Sequence, residues 1–265
     1  MLKFTKRSFL ATLGLAALAL AWTPAQAQEA LANVIKSKTI RIGIPTDYPP
    51  YGFAGLDMQP QGLDIDMAKL VADKLGVKLE LIPVVSANRI PYLQTKKVDV
   101  IISTLGKSEE RAKVIDFSHA YAPFFQGVFA RKDMVIKSFD DLAGKTVAVT
   151  RGAMEDEMLQ KMAPPSVIIK RFEDQAATTA AFASGQTQAI GTSVSNIGVL
   201  AQRQPQLGAE YKLLLRVSPC FMGFAKGEDA LRNRIDEIIL AAKADGALNE
   251  LSKKWLKREA GELPL

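Results

Sequence analysis

Val98-Asp99-Val100-Ile101-Ile102-Ser103-Thr104-Leu105-Gly106-Lys107-Ser108-Glu109-Glu110-Arg111 begins as an apolar run, turns to hydroxyls and a glycine, and ends on two acids and an arginine. A short apolar run bounded by turn residues reads as a buried strand, and a serine followed by acids reads as a helix start. The unit is therefore a strand that delivers a loop to a helix, the recurring step of an α/β protein. A helix beginning at Ser108 leaves its first N–H groups free and its dipole positive toward the loop, which favours a small anion there. Arg111 adds a planar fork able to grip a carboxylate through two parallel hydrogen bonds. Each such charge-assisted bond contributes roughly 1.5–3 kcal/mol, so two or three supply much of the roughly 8 kcal/mol that a micromolar complex needs. The bland alternative for the same residues is a surface N-cap with a solvated arginine.

The same alternation extends on both sides. Ile40-Arg41-Ile42-Gly43-Ile44 is a strand with its isoleucines on one face, followed by the turn-rich aromatic stretch Pro45 to Phe53. Asp66 to Leu75 places Met67, Val71 and Leu75 at helical spacing, with Gly76 where a C-terminal glycine belongs. A second lobe opens with the turn Gly144-Lys145 and the strand Thr146 to Thr150. A helix follows Arg151-Gly152, with Met154, Met158 and Met162 on one stripe expected to be core. Val167 to Phe172 and Gln188 to Thr192 read as further strands around a helix from about Thr178 to Ser184, and two helices, Asp229 to Ala244 and Leu248 to Lys257, close the chain. Gly127-Val128-Phe129-Ala130-Arg131-Lys132-Asp133 and Met222-Gly223-Phe224-Ala225-Lys226-Gly227-Glu228 resemble each other. Both are apolar pieces ending in charge, and they read as two crossovers of a hinge that return the C-terminal helices to the first lobe.

The N-terminus carries Lys3, Lys6 and Arg7, then an apolar stretch to Trp22, then Ala25-Gln26-Ala27, the order of a secretory signal peptide. Cleavage near Ala27 removes three cations and no anion, taking the formal charge from +6 to +3. That mild balance, without basic runs interleaved with aromatics, argues against nucleic acid as a partner. No later segment approaches the ~20 apolar residues of a membrane span. Cys220 and His119 are single residues of their kind, so no internal disulfide is available and a His/Cys metal site has almost no material; no cofactor or metal is expected. Cys220 reads as a small buried residue near the hinge, and His119 as structural.

Taken in order, Tyr48-Pro49-Pro50-Tyr51-Gly52-Phe53, Gly62-Leu63-Asp64-Ile65-Asp66, the strand from Val98, Glu110-Arg111-Ala112-Lys113, Asp116-Phe117-Ser118, Leu142-Ala143-Gly144-Lys145, and Asp245-Gly246 ahead of Lys254-Trp255 resemble the polar amino-acid group, family 3, of periplasmic solute-binding proteins, the receptors of ABC importers. The resemblance runs from about Ile40 to Leu256. It implies an α/β, type II periplasmic-binding-protein fold with two hinge strands and a discontinuous first lobe, 28–129 plus 224–265, around a second lobe, 130–223. It also implies a non-enzymatic, monomeric receptor in the periplasm that hands its ligand to a permease in the inner membrane. By the same resemblance Arg111 binds the ligand α-carboxylate with help from Thr104 and Gly106, and Tyr48 forms an apolar wall. Ser86-Ala87-Asn88-Arg89-Ile90-Pro91-Tyr92-Leu93 is similar to glutamate/aspartate-binding members. That similarity implies contacts from Ser86 and Arg89 to a second carboxylate; a helix-capping or ion-pairing Arg89 is the alternative.

The second lobe departs from the pattern. Ser193, in Ile190-Gly191-Thr192-Ser193, stands where most members of the group carry an aspartate for the ligand ammonium, and a hydroxyl does not replace a carboxylate opposite a desolvated cation. Either another acid takes the charge or the ligand has no ammonium; among the acids Glu155, with Ala153 at the same helix start, is the best replacement, and Asp156 and Asp174 stand behind it. Acids in a first turn also serve the helix dipole on their own account. Gln175 is a further candidate contact, and Lys107 either adds positive charge to the cleft or is simply solvated. Two other functions share the scaffold. One is a periplasmic dehydratase similar to the cyclohexadienyl dehydratases, which needs an acid where Asn196 aligns. The other is a ligand-sensing receptor for a membrane kinase.

Overall fold

A computed structural model describes residues 29–264. The expected signal peptide lies outside the described residues. In chain order the elements are α1 (Glu29–Ser37), β1 (Thr39–Ile44), β2 (Asp47–Tyr48), β3 (Gly52–Ala54), β4 (Pro60–Gln61), α2 (Leu63–Leu75), β5 (Lys78–Pro83), α3 (Arg89–Gln94), β6 (Val100–Leu105), α4 (Glu109–Ala112) and β7 (Ile115–Ala122). They continue with β8 (Phe125–Arg131), β9 (Thr146–Thr150), α5 (Met154–Met162), β10 (Ile168–Phe172), α6 (Gln175–Ala183), β11 (Ala189–Ser193), α7 (Val194–Arg203), β12 (Ala209–Val217), β13 (Cys220–Ala225), α8 (Asp229–Ala244) and α9 (Ala247–Leu256).

Beside a small three-stranded sheet, β2-β3-β4, two five-stranded sheets organise the described elements, in the orders β5-β1-β6-β13-β7 and β10-β9-β11-β8-β12. In each, parallel strands sit on one side (β1 with β5 and β6; β9 with β10 and β11), and antiparallel strands complete the other. Parallel strands need a helical crossover, which covers the faces of the sheet, so their sequences are apolar on both sides. The second sheet shows this directly. Val128, Ala130, Val147 and Val149 pack with Leu159 on one face, while the intervening Phe129 and Ala148 pack with Phe182, Ile190 and Leu200 on the other. In the first sheet Ile40, Ile42 and Ile44 join Val100, Phe224, Ile235 and Ile239 in one core. Gly76 takes a left-handed φ of 67° and its N–H closes the end of α2, as the sequence predicts.

β13 comes from the C-terminal part of the chain yet lies between β6 and β7, so the first lobe is discontinuous. The helices after it also pack on the first lobe, where Lys254 Nζ and Trp255 Nε1 donate to Asp66 Oδ2 at 2.7 and 2.8 Å. The crossings themselves lie at Pro123-Phe124 and Ser218-Pro219, tied together by Ser218 N–H donating to Phe124 O at 3.0 Å. This corrects the boundaries expected at 129 and 224. Gly127 to Arg131 are strand residues of the second sheet and Met222 to Ala225 of the first, because sheet membership follows the hydrogen-bonded neighbour and not the charged end of an apolar run. The methionine stripe is corrected too. Met154 is buried, but Met162 is 40% exposed at the end of α5, and Leu159 takes the core position.

Candidate functional site

The end of β6 carries an unusual backbone. Thr104 has φ 43°, a left-handed value that β-branched residues rarely adopt. It is held there by neighbours. Its N–H donates to Asp64 Oδ2 at 2.9 Å, and its hydroxyl accepts from Arg89 Nη2 at 3.2 Å. Asp64, at the start of α2, is fully buried and takes the Tyr121 hydroxyl on its other oxygen at 2.8 Å. Burial pushes its carboxyl up to about 7, against the opposing pull of the Tyr121 and Thr104 hydrogen bonds and the Arg89 charge.

Arg89, expected on the sequence as a ligand contact or a structural ion, is buried with its Nε donating to Ser103 Oγ at 3.1 Å. Its ionisation is lowered by burial first and by the Arg111 charge second, while Glu155 and Asp64 oppose the shift. Two guanidinium groups therefore sit close together on the first-lobe side of the crease.

Arg111 does lie between the lobes, and the solvated alternative does not hold: it is 6% exposed. Nε and Nη2 donate to one oxygen of Glu157, on α5 of the second lobe, at 3.0 and 2.7 Å. Nη1 donates to Gly106 O and Nη2 to Gly152 O, both at 3.1 Å. The helix expected at Ser108 is a four-residue turn, Glu109–Ala112, capped by the Ser108 hydroxyl. A turn this short has little dipole, so the anion preference of the loop rests on the guanidinium. Gly106 lies close under the second lobe, where an added Cβ would meet Met154 Cε at 3.0 Å. Lys107 has an exposed side chain and contributes its carbonyl, which accepts from Arg216 Nη2 at 2.8 Å.

Tyr48 is more than an apolar wall. Its ring is buried against Tyr51 and Phe124, with centroids at 5.4 and 6.5 Å. Its hydroxyl accepts from Ser193 N–H at 3.2 Å and lies 3.4 Å from Thr192 Oγ1, so it joins the lobes. Burial, then the nearby Glu155 charge, pushes the ionisation of its hydroxyl to higher pH.

Among the described residues, two of the crease's unspent acceptors, including its one buried and unpartnered carboxylate oxygen, lie on the second-lobe face. Glu155 is buried at the first turn of α5, and its Oε1 has no hydrogen-bond partner; Gln126 Oε1 and, from the first lobe, Ser86 Oγ are in the same condition. Burial raises the Glu155 carboxyl, opposed by the α5 backbone, Gln126 and the charges of Arg89 and Arg111, which places it in the same crease. Ala153 is the buried N-cap residue of α5 beside it. The remaining sequence candidates are otherwise engaged. Ser193 caps α7, its hydroxyl accepting from Asn196 N–H at 3.1 Å. Asp156 holds Arg171 Nε at 2.9 and 3.1 Å, and Asp174 caps α6 through Ala177 N–H at 2.7 Å. Gln175 is buried at the first position of α6, beside the point where Ala176 N–H donates to Asp47 Oδ2 across the lobes at 2.9 Å. Cys220 is buried directly after the second crossing. A cavity of about 280 Å³ between Asp47, Pro49, α6 and α7 is lined by none of Arg89, Arg111 and Glu155 and lies outside this charged centre.

Sequence reasoning missed Gln126, Glu157 and the role of Asp64. Gln126 is signalled by a lone amide within the apolar Phe125 to Phe129. Glu157 has no signal, because nothing in Met154-Glu155-Asp156-Glu157 says which acid crosses the crease.

Residues 40–258 match the model of the family described as bacterial extracellular solute-binding proteins, family 3. The chain is 30% identical over 240 residues to the ABC transporter glutamine-binding protein GlnH of Bacillus subtilis, covering 89% of this chain and 87% of that protein. Among solved structures, the solute receptor for L-cysteine of Neisseria gonorrhoeae is similar with a TM-score of 0.82 and 28% identity, covering 89% of this chain and 99% of that one. The ancestral amino acid-binding protein AncCDT-1, a precursor of cyclohexadienyl dehydratase, is similar with a TM-score of 0.76 and 31% identity, covering 85% and 98%.

Proposed function

The chain belongs to the bacterial extracellular solute-binding proteins of family 3, and from that premise we propose that its crease captures a small polar amino acid by its carboxylate and presents it to the permease of an ABC importer. The observation that carries this reading is Arg111, whose Nε/Nη2 edge, buried between the lobes, already holds a carboxylate oxygen, that of Glu157. A ligand carboxylate suits the same edge, with Thr104 and Gly106 beside it. Arg89 and Ser86 supply a further polar contact from the first lobe, and Tyr48 and Ala153 supply apolar wall. The ligand ammonium is taken by Glu155 with Gln126, since Ser193 is committed to a helix cap and those two buried oxygens lack donors. The relatives' stated ligands, glutamine and L-cysteine, are both α-amino acids. They differ in side chain, so the α-amino and α-carboxylate groups are the shared chemistry.

The dehydratase alternative needs a proton donor. Asn196 gives an amide instead, with Nδ2 donating to Pro49 O at 3.0 Å and Oδ1 accepting from Thr192 Oγ1 at 3.2 Å. Export to the periplasm, cleavage near Ala27, a monomeric state, and import in preference to kinase signalling belong to the same proposal. Calorimetry of the exported chain against the amino acids, dicarboxylates and keto acids tests it. One amino-acid class is expected to bind tightly, and Arg111→Ala is expected to weaken it at least 100-fold, the effect of losing about two charge-assisted bonds. Undiminished binding by Arg111→Ala would end the clamp assignment.

A further inference from the structure

Glu157 stands out among the residues of the crease because it is neither an unspent acceptor nor a first-lobe support. It reaches from α5 across the gap and gives one oxygen to two N–H groups of Arg111, at 3.0 and 2.7 Å. It is 31% exposed at its side chain against 6% for Arg111, so the pair is reached from the mouth of the crease and sealed on the inner side. Gly152 O, from the same lobe, takes a further Nη2 proton at 3.1 Å. With Gly106 O on Nη1, this leaves a single unassigned N–H on a fork that has five donors. A ligand carboxylate cannot make a two-bond contact with Arg111 while Glu157 keeps its place.

We propose that Glu157 is an affinity-setting residue: an internal carboxylate that occupies the Arg111 fork in the ligand-free protein, draws the lobes together, and must be displaced by the carboxylate of the incoming solute. The proposal rests on the reading of Arg111 as the ligand clamp, and it adds the competitor. Competition of this kind makes the apparent Kd the intrinsic Kd divided by the fraction of molecules in which the fork is free. It also discriminates. A solute offering a full carboxylate replaces like with like, whereas an ester or amide at that position exchanges a charge-assisted pair for a neutral one and loses. Other contacts join the lobes on both sides of the crease, including Tyr48 with Ser193 and Arg216 with the Lys107 carbonyl. Glu157 is the one that uses the ligand's own anchoring group.

Glu157→Gln keeps the size and removes the charge. The test measures wild type, Glu157→Gln and Arg111→Ala by calorimetry with L-glutamine, L-glutamate, L-cysteine and L-arginine as probes, and records small-angle scattering of each protein without ligand. The expected result is that whichever probe binds does so about tenfold tighter to Glu157→Gln than to wild type, the equivalent of one charge-assisted bond no longer broken. Ligand-free Glu157→Gln is also expected to scatter as a more open particle than ligand-free wild type. Equal or weaker binding by Glu157→Gln, with binding lost in Arg111→Ala, overturns the competitor and leaves the clamp standing. Full binding by Arg111→Ala overturns the clamp. In that case, or if no probe binds, identical ligand-free scattering of wild type and Glu157→Gln overturns the latch, and an opened Glu157→Gln particle retains it as a closure device.

Discussion

The two faces of the crease are built in opposite ways. On the first-lobe face every charge has a fixed support: Asp64 holds the Thr104 backbone, Thr104 and Ser103 hold Arg89, and Gly106 holds Arg111. On the second-lobe face Glu155 and Gln126 are buried with acceptor oxygens unspent, and Glu157 reaches outward. An unpaired buried acceptor costs roughly 1–3 kcal/mol, so the second face is the one that gains most from a donor-bearing ligand. Under the proposed function, this contrast gives anchoring to the preorganised cationic face and closure to the under-satisfied face.

The largest expected effect concerns the support under the first face. Asp64 has its carboxyl raised from 3.8 to about 7 in the folded protein. The folded state therefore binds this proton more tightly than the unfolded chain, and the stabilisation present in acid is lost as pH rises between those values, on the order of 4 kcal/mol. Denaturant unfolding of wild type and Asp64→Asn at pH 4, 5.5 and 7 measures it. Wild type is expected to lose stability relative to the variant along that series, and parallel curves would remove Asp64 from the account. A smaller effect sharpens the second face. Glu155→Gln is expected to weaken the selected amino acid about tenfold and to leave its deaminated analogue unchanged, the loss of one charge-assisted bond to an ammonium. Equal losses for both compounds would show that Glu155 serves the fold alone. The smallest is an expected absence of change. Ser193→Asp keeps a good N-cap for α7 and faces the helix end, so calorimetry of that variant is expected to return the wild-type affinity. A gain for ammonium-bearing ligands would mean that the crease lacks a counter-charge after all.

Legibility followed the same division. Arg89, Thr104, Gly106 and Arg111 sit in local motifs, at strand ends and helix starts, where residue type and backbone geometry are tied together over a few positions; Asp64 lies in such a motif too, but its support of Thr104 depends on a strand 40 positions away. The strand and helix pattern was readable for the same reason, since periods of two and near four are local properties. β12 was not readable: it is a half-exposed edge strand, and its mixed sequence follows no single burial period. The crossings were read about five residues late because the switch between sheets is a choice of partner, made by residues far apart in the chain. Ser193 illustrates the limit within the site. Its alignment with the family's aspartate made it a candidate ligand contact, and its hydroxyl went to the next helix, a bond that a serine before any helix can make.

Amino-acid order was sufficient for the α/β class, the two lobes and the return of the C-terminal helices, because strands, helices and turns are written in short-range patterns of apolar, turn and charged residues, and the order of the motifs resembles a known family. Only the folded arrangement could say that the carboxylate on Arg111 is Glu157, that Gln126 joins Glu155, and that Tyr48 ties one lobe to the other. Those facts depend on which surfaces of two separate sheets come into register across a gap, and residues 46 positions apart, such as Arg111 and Glu157, carry no local trace of their meeting.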